Sequence, residues 1–233
     1  MEERVKKAAG HTRDAILAAG ATEFAAHGFA GASVDNIAAR SGFNKAMIYY
    51  HFKSKRALYV EILRDVFRLM GSRSADIVAS DREPAAKIAA FIDAFDQLAA
   101  TRPYMPPVMM REMAEGARRL DADTLRLMAA IIANFARILD EGARQGVLRP
   151  ADPLLTYFSV IAPVIFFRAS EPIREALGKA RILATRVEPS AFIANLKQIA
   201  LVTLAAGGPA ATPARAHRTP GRRPHTTRSG DHA

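Results

Sequence analysis

Residues 33–55 read Ser33-Val34-Asp35-Asn36-Ile37-Ala38-Ala39-Arg40-Ser41-Gly42-Phe43-Asn44-Lys45-Ala46-Met47-Ile48-Tyr49-Tyr50-His51-Phe52-Lys53-Ser54-Lys55. Ser33 is placed to cap a short helix over Val34–Arg40, and Asp35 in its first turn suits the helix dipole. Ser41-Gly42-Phe43 turns the chain, and Asn44 caps a second short helix to about His51. Two short helices joined by a three-residue turn with glycine at its centre are a helix-turn-helix arrangement, the glycine giving backbone freedom that a side chain would hinder.

Working back toward the N-terminus, Thr12 is expected to cap a helix to about His27, with Ile16, Gly20 and Phe24 on one face and Gly28 as its stop. Forward, Ser54 caps a longer helix to roughly Ser72, with Leu58, Ile62, Val66 and Leu69 at helical spacing. Phe24, Val34, Ile37, Ala38, Phe43, Ile48 and Phe52 can close a small core around the first three helices. That leaves Asn44, Lys45, Met47, Tyr49, Tyr50 and His51 outward, followed by Lys53 and Lys55. Cation, hydroxyl and imidazole around a helix start, with no carboxylate among them, suit phosphates and base edges.

The rest of the chain also reads as helix: alanine, leucine, methionine and arginine fill the segments between Gly/Pro punctuation, and hairpin-bounded alternating runs do not recur. A helix from Pro84 carries Ile88, Phe91, Ile92, Phe95 and Leu98 on one face. A broken segment at Arg102–Pro107 precedes a short helix over Val108–Glu115. Asp121–Gln145 is the strongest pattern, with Leu125, Met128, Ile132, Phe135 and Leu139 inward; helices at 153–169, 172–177 and 189–206 follow. The fold class is all-α: a helix-turn-helix head at 1–55, a connecting helix at 56–72, a larger helical domain at 73–206 and a disordered basic tail at 207–233.

The 233 residues carry a formal charge of +10, concentrated at the ends. Residues 1–70 hold eleven Lys/Arg against seven Asp/Glu, 71–206 hold seventeen against fifteen, and 207–233 hold five against one. Basic ends on a nearly neutral body point to a polyanionic partner. With no cysteine there is no disulfide framework, thiolate metal site or cysteine nucleophile. Histidines fall at 11, 27, 51, 217, 225 and 232, so the large domain lacks a Ser-His-Asp triad and a histidine–zinc site. No phosphate-cradling glycine loop is present; Glu112 and Glu115, three apart, read as a solvated pair. The expectation is therefore a non-enzyme without metal or cofactor. The N-terminus, with Glu2, Glu3, Arg4, Lys6 and Lys7, does not read as a signal peptide. The longest uncharged apolar stretch, Pro153–Phe167, has fifteen residues where a span needs about 18, so a soluble cytoplasmic protein without membrane contact is expected.

From Thr12 to about Leu63 the sequence resembles the TetR family of transcriptional regulators. The densest part is Asn44–Lys55, quoted above, and Phe24-Ala25-Ala26-His27-Gly28-Phe29 and Ser33–Gly42 fit at the expected spacings. The resemblance implies a three-helix DNA-reading head on a helical, dimeric, ligand-sensing domain. It implies that Lys45 contacts a base or phosphate, that Tyr49 and Tyr50 meet backbone or thymine methyls, that His51 and Lys55 clamp phosphates, and that Ser33 caps the second helix and touches phosphate. Met47 stands where a hydroxyl residue is common, which removes a polar DNA contact, and Ala46 replaces a frequent glycine.

In the sensing half, Met105, Met109, Met110 and Met113 join Tyr104, Phe91, Phe95, Phe135 and Tyr157 in a methionine- and aromatic-rich group, and the resemblance implies a small-molecule pocket lined by them. Arg111, Glu112, Asn134, Tyr157 and Arg168 are open alternatives for its polar anchors. Helices at about 153–169 and 189–206 are apolar on more than one side, and the resemblance implies that they pair with a second copy as a homodimer. Two heads about 34 Å apart would then read a near-palindromic double-stranded operator. The expected function is a ligand-responsive repressor released from DNA by an apolar or amphipathic effector. Competing readings are a helical small-molecule binder or enzyme that keeps the head as an interaction module, and a nonspecific binder acting through the basic ends.

Overall fold

The computed structural model describes residues 2–182 and 187–207, with side chains from residue 10 onward. The segment from 208 onward, read above as a disordered basic tail, lies outside the described residues. The described chain folds into α1 (Glu2–Gly31), α2 (Val34–Ser41), α3 (Lys45–Phe52), α4 (Lys55–Ala79), α5 (Pro84–Thr101), α6 (Met105–Ala114), α7 (Ala122–Arg144), α8 (Pro153–Ala169), α9 (Glu171–Lys179) and α10 (Pro189–Leu204). The all-α expectation is met; an isolated bridge between Leu148 and Ala205 is the extended pairing among the described residues. No single helix among them is long and apolar enough to cross a membrane, and α8 and α9 are bent by 50° at their junction.

Three caps of the head are formed as their side chains allow. Ser33 Oγ accepts the Asp35 N–H at 3.1 Å, Asn44 Oδ1 accepts that of Met47 at 2.9 Å, and Ser54 Oγ accepts that of Ala57 at 3.0 Å. Gly42 takes a left-handed φ of 75° to end α2. Phe24, Ile37, Ile48 and Phe52 are buried together beneath α2 and α3. Their core continues along α4 into the body, where α5, α7 and α8 close around Phe91, Phe135 and Tyr157.

Several element boundaries differ from expectation. The first helix begins ten residues before Thr12, because residues 3–9 are mostly good helix formers. Gly28 does not stop it: at φ 66°, ψ −179° it kinks the chain, which resumes one more turn to Gly31. The helix after Ser54 passes Ser72 to Ala79 despite Gly71, because Ser74 and Ile77 are buried against neighbours and Ser74 Oγ accepts from Asn134 Nδ2 at 2.9 Å. Residues 102–107 are not a broken segment throughout: α6 starts at Met105, and Pro106 and Pro107 occupy its first turn, where missing N–H groups cost no helical bond. The piece expected at 172–177 is longer, Glu171–Lys179. In α7 the inward face is Ile131, Phe135, Ile138 and Leu139, and Leu125 is exposed.

Candidate functional site

α3 buries Ile48 and Phe52 and turns its other face to solvent. Tyr50 is 78% exposed and Tyr49 is 46% exposed. Lys45, also exposed, ion-pairs with Asp35 of α2 at 2.5 Å; that hydrogen bond and charge hold the ammonium above the usual lysine range. Ser33 and Asn44 sit at the starts of α2 and α3 as caps. Lys45, Tyr49 and Tyr50 thus share one surface with the two helix starts. Met47 and His51 are half-buried at its margin, with His51 edge-on to Tyr50 at 5.3 Å between centroids. Lys55 is drawn away from it: Nζ lies 4.9 Å from the Phe29 ring centre and 3.4 Å from the Ala30 carbonyl.

Glu23 of α1 holds α2 in register beneath this surface. Its buried Oε1 accepts the Ser33 N–H at 3.1 Å and Asn36 Nδ2 at 3.0 Å. Burial pushes the carboxyl up, but the Asn36 and Ser33 donors, with His27 and Arg40 nearby, outweigh it and leave the group below the usual carboxylate range.

Head and body meet at Arg111. This α6 side chain donates from Nη1 to the Phe24 carbonyl at 3.1 Å and to that of Ala25, and from Nη2 to that of Ala26 at 3.5 Å. These carbonyls end the first stretch of α1, before Gly28, so a cation from the body caps a helix of the head. Beside it, Glu112 is buried, contrary to the expectation of a solvated carboxylate. Oε2 accepts from Tyr59 Oη at 2.9 Å and Arg119 Nη1 at 3.1 Å, and Oε1 accepts the Arg119 N–H at 3.0 Å. Burial, then the Glu112 hydrogen bond and charge, push the Tyr59 phenol up.

Glu112 also borders an apolar cavity of ≈ 360 Å³, bounded by α4, α5, α6, α7 and α8. Of the residues singled out in the sequence, Phe95, Met105, Met109, Met110, Met113 and Tyr157 line it. Phe91, Phe135 and Tyr104 do not: Phe91 and Phe135 are fully buried and pack face to edge beneath Tyr157, and Tyr104 stands at the start of α6. Much of the wall was not singled out in the sequence, notably Phe67 and Met70 of α4, Ile131 of α7, and Phe158, Ile161 and Ile165 of α8. Each belongs to an apolar helical stripe, a signal of burial that does not separate core from cavity wall.

Along α8 and α10, Leu154, Leu155, Phe158, Phe166, Ile199 and Val202 remain exposed, and Leu155 and Ile199 line a groove of ≈ 630 Å³ between the two helices.

Residues 16–62 match the model of the bacterial regulatory proteins of the tetR family, and residues 84–187 match the tetracyclin repressor-like C-terminal domain. The HTH-type transcriptional regulator RutR of Escherichia coli is 26% identical over 171 residues, which cover 73% of this chain and 80% of RutR. The HTH-type transcriptional repressor NicS of Pseudomonas putida is 24% identical over 163 residues, 68% of this chain and 76% of NicS. The structure of the fatty acid degradation regulator FadR from Bacillus halodurans superposes with a TM-score of 0.65 at 16% identity, covering 81% of this chain and 94% of FadR, a likeness of fold.

Proposed function

Because the chain belongs to the TetR family of bacterial transcriptional regulators, we propose that it is a cytoplasmic dimeric repressor whose α3 enters the major groove and whose body cavity takes an apolar or amphipathic effector. The observation that carries this reading is the outward face of α3. Lys45, Tyr49 and Tyr50 project beside the capped starts of α2 and α3, on a head that needs them for no core contact. Phosphates are within the chemistry of Lys45, the two phenols and the helix starts, while base edges are read by the lysine and the aromatic faces. Lys45 exchanges Asp35 for DNA on docking.

Release needs an effector that binds the two conformations unequally; a hundredfold loss of operator affinity corresponds to about 2.7 kcal/mol of difference. α6 is suited to carry it. Met109, Met110 and Met113 line the cavity on the same short helix that holds Arg111 on α1, so a molecule displacing α6 pulls on the head. A second copy covers the exposed faces of α8 and α10, setting two heads about 34 Å apart on one face of the duplex. Selection of bound fragments from random DNA, followed by footprinting, tests the reading: near-palindromic sites with half-sites about one helical turn apart support it, and binding indifferent to sequence refutes it.

A further inference from the structure

Five polar side chains were open as anchors for a molecule in the body cavity, and four are engaged elsewhere. Arg111 holds the carbonyls of α1, and both Glu112 oxygens are occupied by Tyr59 and Arg119. Asn134 donates to Ser74, and Arg168 Nε donates to Asp96 at 2.8 Å. Tyr157 differs. It lines the cavity, is only 7% exposed, and its ring is fixed by Phe91, Phe95, Phe135 and Phe158 at centroid distances of 5.5 to 6.4 Å. No hydrogen bond to its hydroxyl is formed among the described residues. Burial alone pushes the phenol up, so it stays protonated and can donate. Unlike His51 Nε2 or Arg64 Nε, which are sealed in without a partner, this hydroxyl keeps accessible surface on a residue that lines the cavity, so a bound molecule can pair with it.

The wall also selects against charge. Among the described residues no lysine, arginine or histidine lines the cavity, and the one carboxylate that does, Glu112, is already neutralised by Arg119. An anion there would be buried beside a carboxylate without a counter-ion, and a cation would find that carboxylate saturated. The volume of ≈ 360 Å³ is at the lower end of the about 300–1,000 Å³ of small-molecule sites. Resting on the repressor reading above, we propose that the effector is an uncharged, mostly hydrocarbon molecule with a single hydroxyl or carbonyl oxygen, and that Tyr157 is the residue that hydrogen-bonds this oxygen. The phenol fixes the ligand's orientation, while the methionines of α6 conform to its hydrocarbon part.

Decan-1-ol, decanoate and decylammonium, ten-carbon chains differing in their head group, are titrated calorimetrically at pH 7.5 into the full-length protein and into Tyr157→Phe. The wild type is expected to bind decan-1-ol at least about tenfold tighter than either ion, and Tyr157→Phe to lose about five- to tenfold for the alcohol only. Met109→Trp, which fills the cavity, is expected to abolish alcohol binding. Equal alcohol affinity in wild type and Tyr157→Phe, preference for either ion, no alcohol binding, or binding that survives Met109→Trp overturns the proposal. Operator affinity in the same solutions separates it from the repressor reading. If the alcohol releases DNA but Tyr157→Phe responds as wild type, the anchor falls and release stands. If Tyr157 governs binding while DNA affinity never changes, the anchor stands and release falls.

Discussion

Arg111 and Gly28 meet where the body grips the head: the Arg111 Cδ lies 3.6 Å from where a side chain on Gly28 would begin, and its guanidinium caps the carbonyls that the Gly28 kink leaves open. The kink depends on glycine, since φ 66° with ψ −179° is a conformation that residues with a Cβ hardly adopt. Arg111 therefore supplies from another helix the end that α1 does not make for itself. Arg111→Ala is expected to cost about 1 kcal/mol of stability, since the side chain is exposed, and to reduce the effector's effect on operator affinity by about tenfold while leaving effector affinity unchanged. Anisotropy of a labelled operator, with and without effector, measures the ratio. An undiminished ratio means that α6 signals by another contact.

Two lysines of the head are placed differently: Lys45 lies on the outward face of α3, and Lys55 packs its ammonium on Phe29, away from that face. Lys45→Ala is expected to weaken the selected operator by about ten- to a hundredfold and random DNA much less. Lys55→Ala is expected to weaken both alike and to lower the salt slope by about one. Asp35→Asn, which frees Lys45 and removes a negative charge from the face, is expected to tighten binding to random DNA. Titrations at several salt concentrations distinguish these, and equal losses on both DNAs for Lys45→Ala would sink its base-reading role.

The head was legible because its signals are local. Ser33, Asn44 and Ser54 each bond an N–H two or three residues on, and Gly42 needs only its own backbone. The body is set by how distant helices meet, and there local signals mislead. Prolines 106 and 107 look like breaks, yet in a first turn they are harmless. The stripe through Leu125, Met128 and Ile132 lies beside the one through Ile131 and Ile138, both pass through Phe135 or Leu139, and packing on α4 decides between them. Phe91 and Phe135 share the composition of the cavity wall but lie beneath it. Glu112 is buried because Tyr59, 53 residues away, brings it a hydroxyl and Arg119 brings it an N–H and a guanidinium.

The apolar face of α8 and α10 gives a prediction about assembly. Phe166 is 62% exposed and Ile199 is 55% exposed, and if a second copy covers this face as proposed, a glutamate at either would place an unpaired charge within it. Ile199→Glu is expected to yield a folded monomer by sedimentation, with helix content preserved and operator affinity reduced at least a hundredfold, because one head alone contributes half the contacts. A dimer with wild-type affinity would place the interface elsewhere.

Glu23 gives the head an acid limit. Its carboxyl lies below 4.5 in the folded chain, so between the folded and unfolded values the unfolded chain binds more protons, and stability rises with pH. The contribution is complete above about pH 5 and is lost as pH falls through the lowered folded value. Both donors to Glu23, the Ser33 N–H and Asn36 Nδ2, reach the same oxygen, Oε1. A glutamine can keep that oxygen as its carbonyl and turn its amide to the Oε2 side, 3.9 Å from His27 Nε2. Glu23→Gln is therefore expected to stay within about 1 kcal/mol of wild type at pH 7 and to lose stability less steeply between pH 5 and 3. The acid limb persists in part, because Glu61 and Asp121 are also held low, Glu61 by Arg68 and Arg64 against its burial and Asp121 by Thr124. Urea unfolding across this range measures both limbs; identical slopes for the two proteins would show that Glu23 is not held low in the folded head.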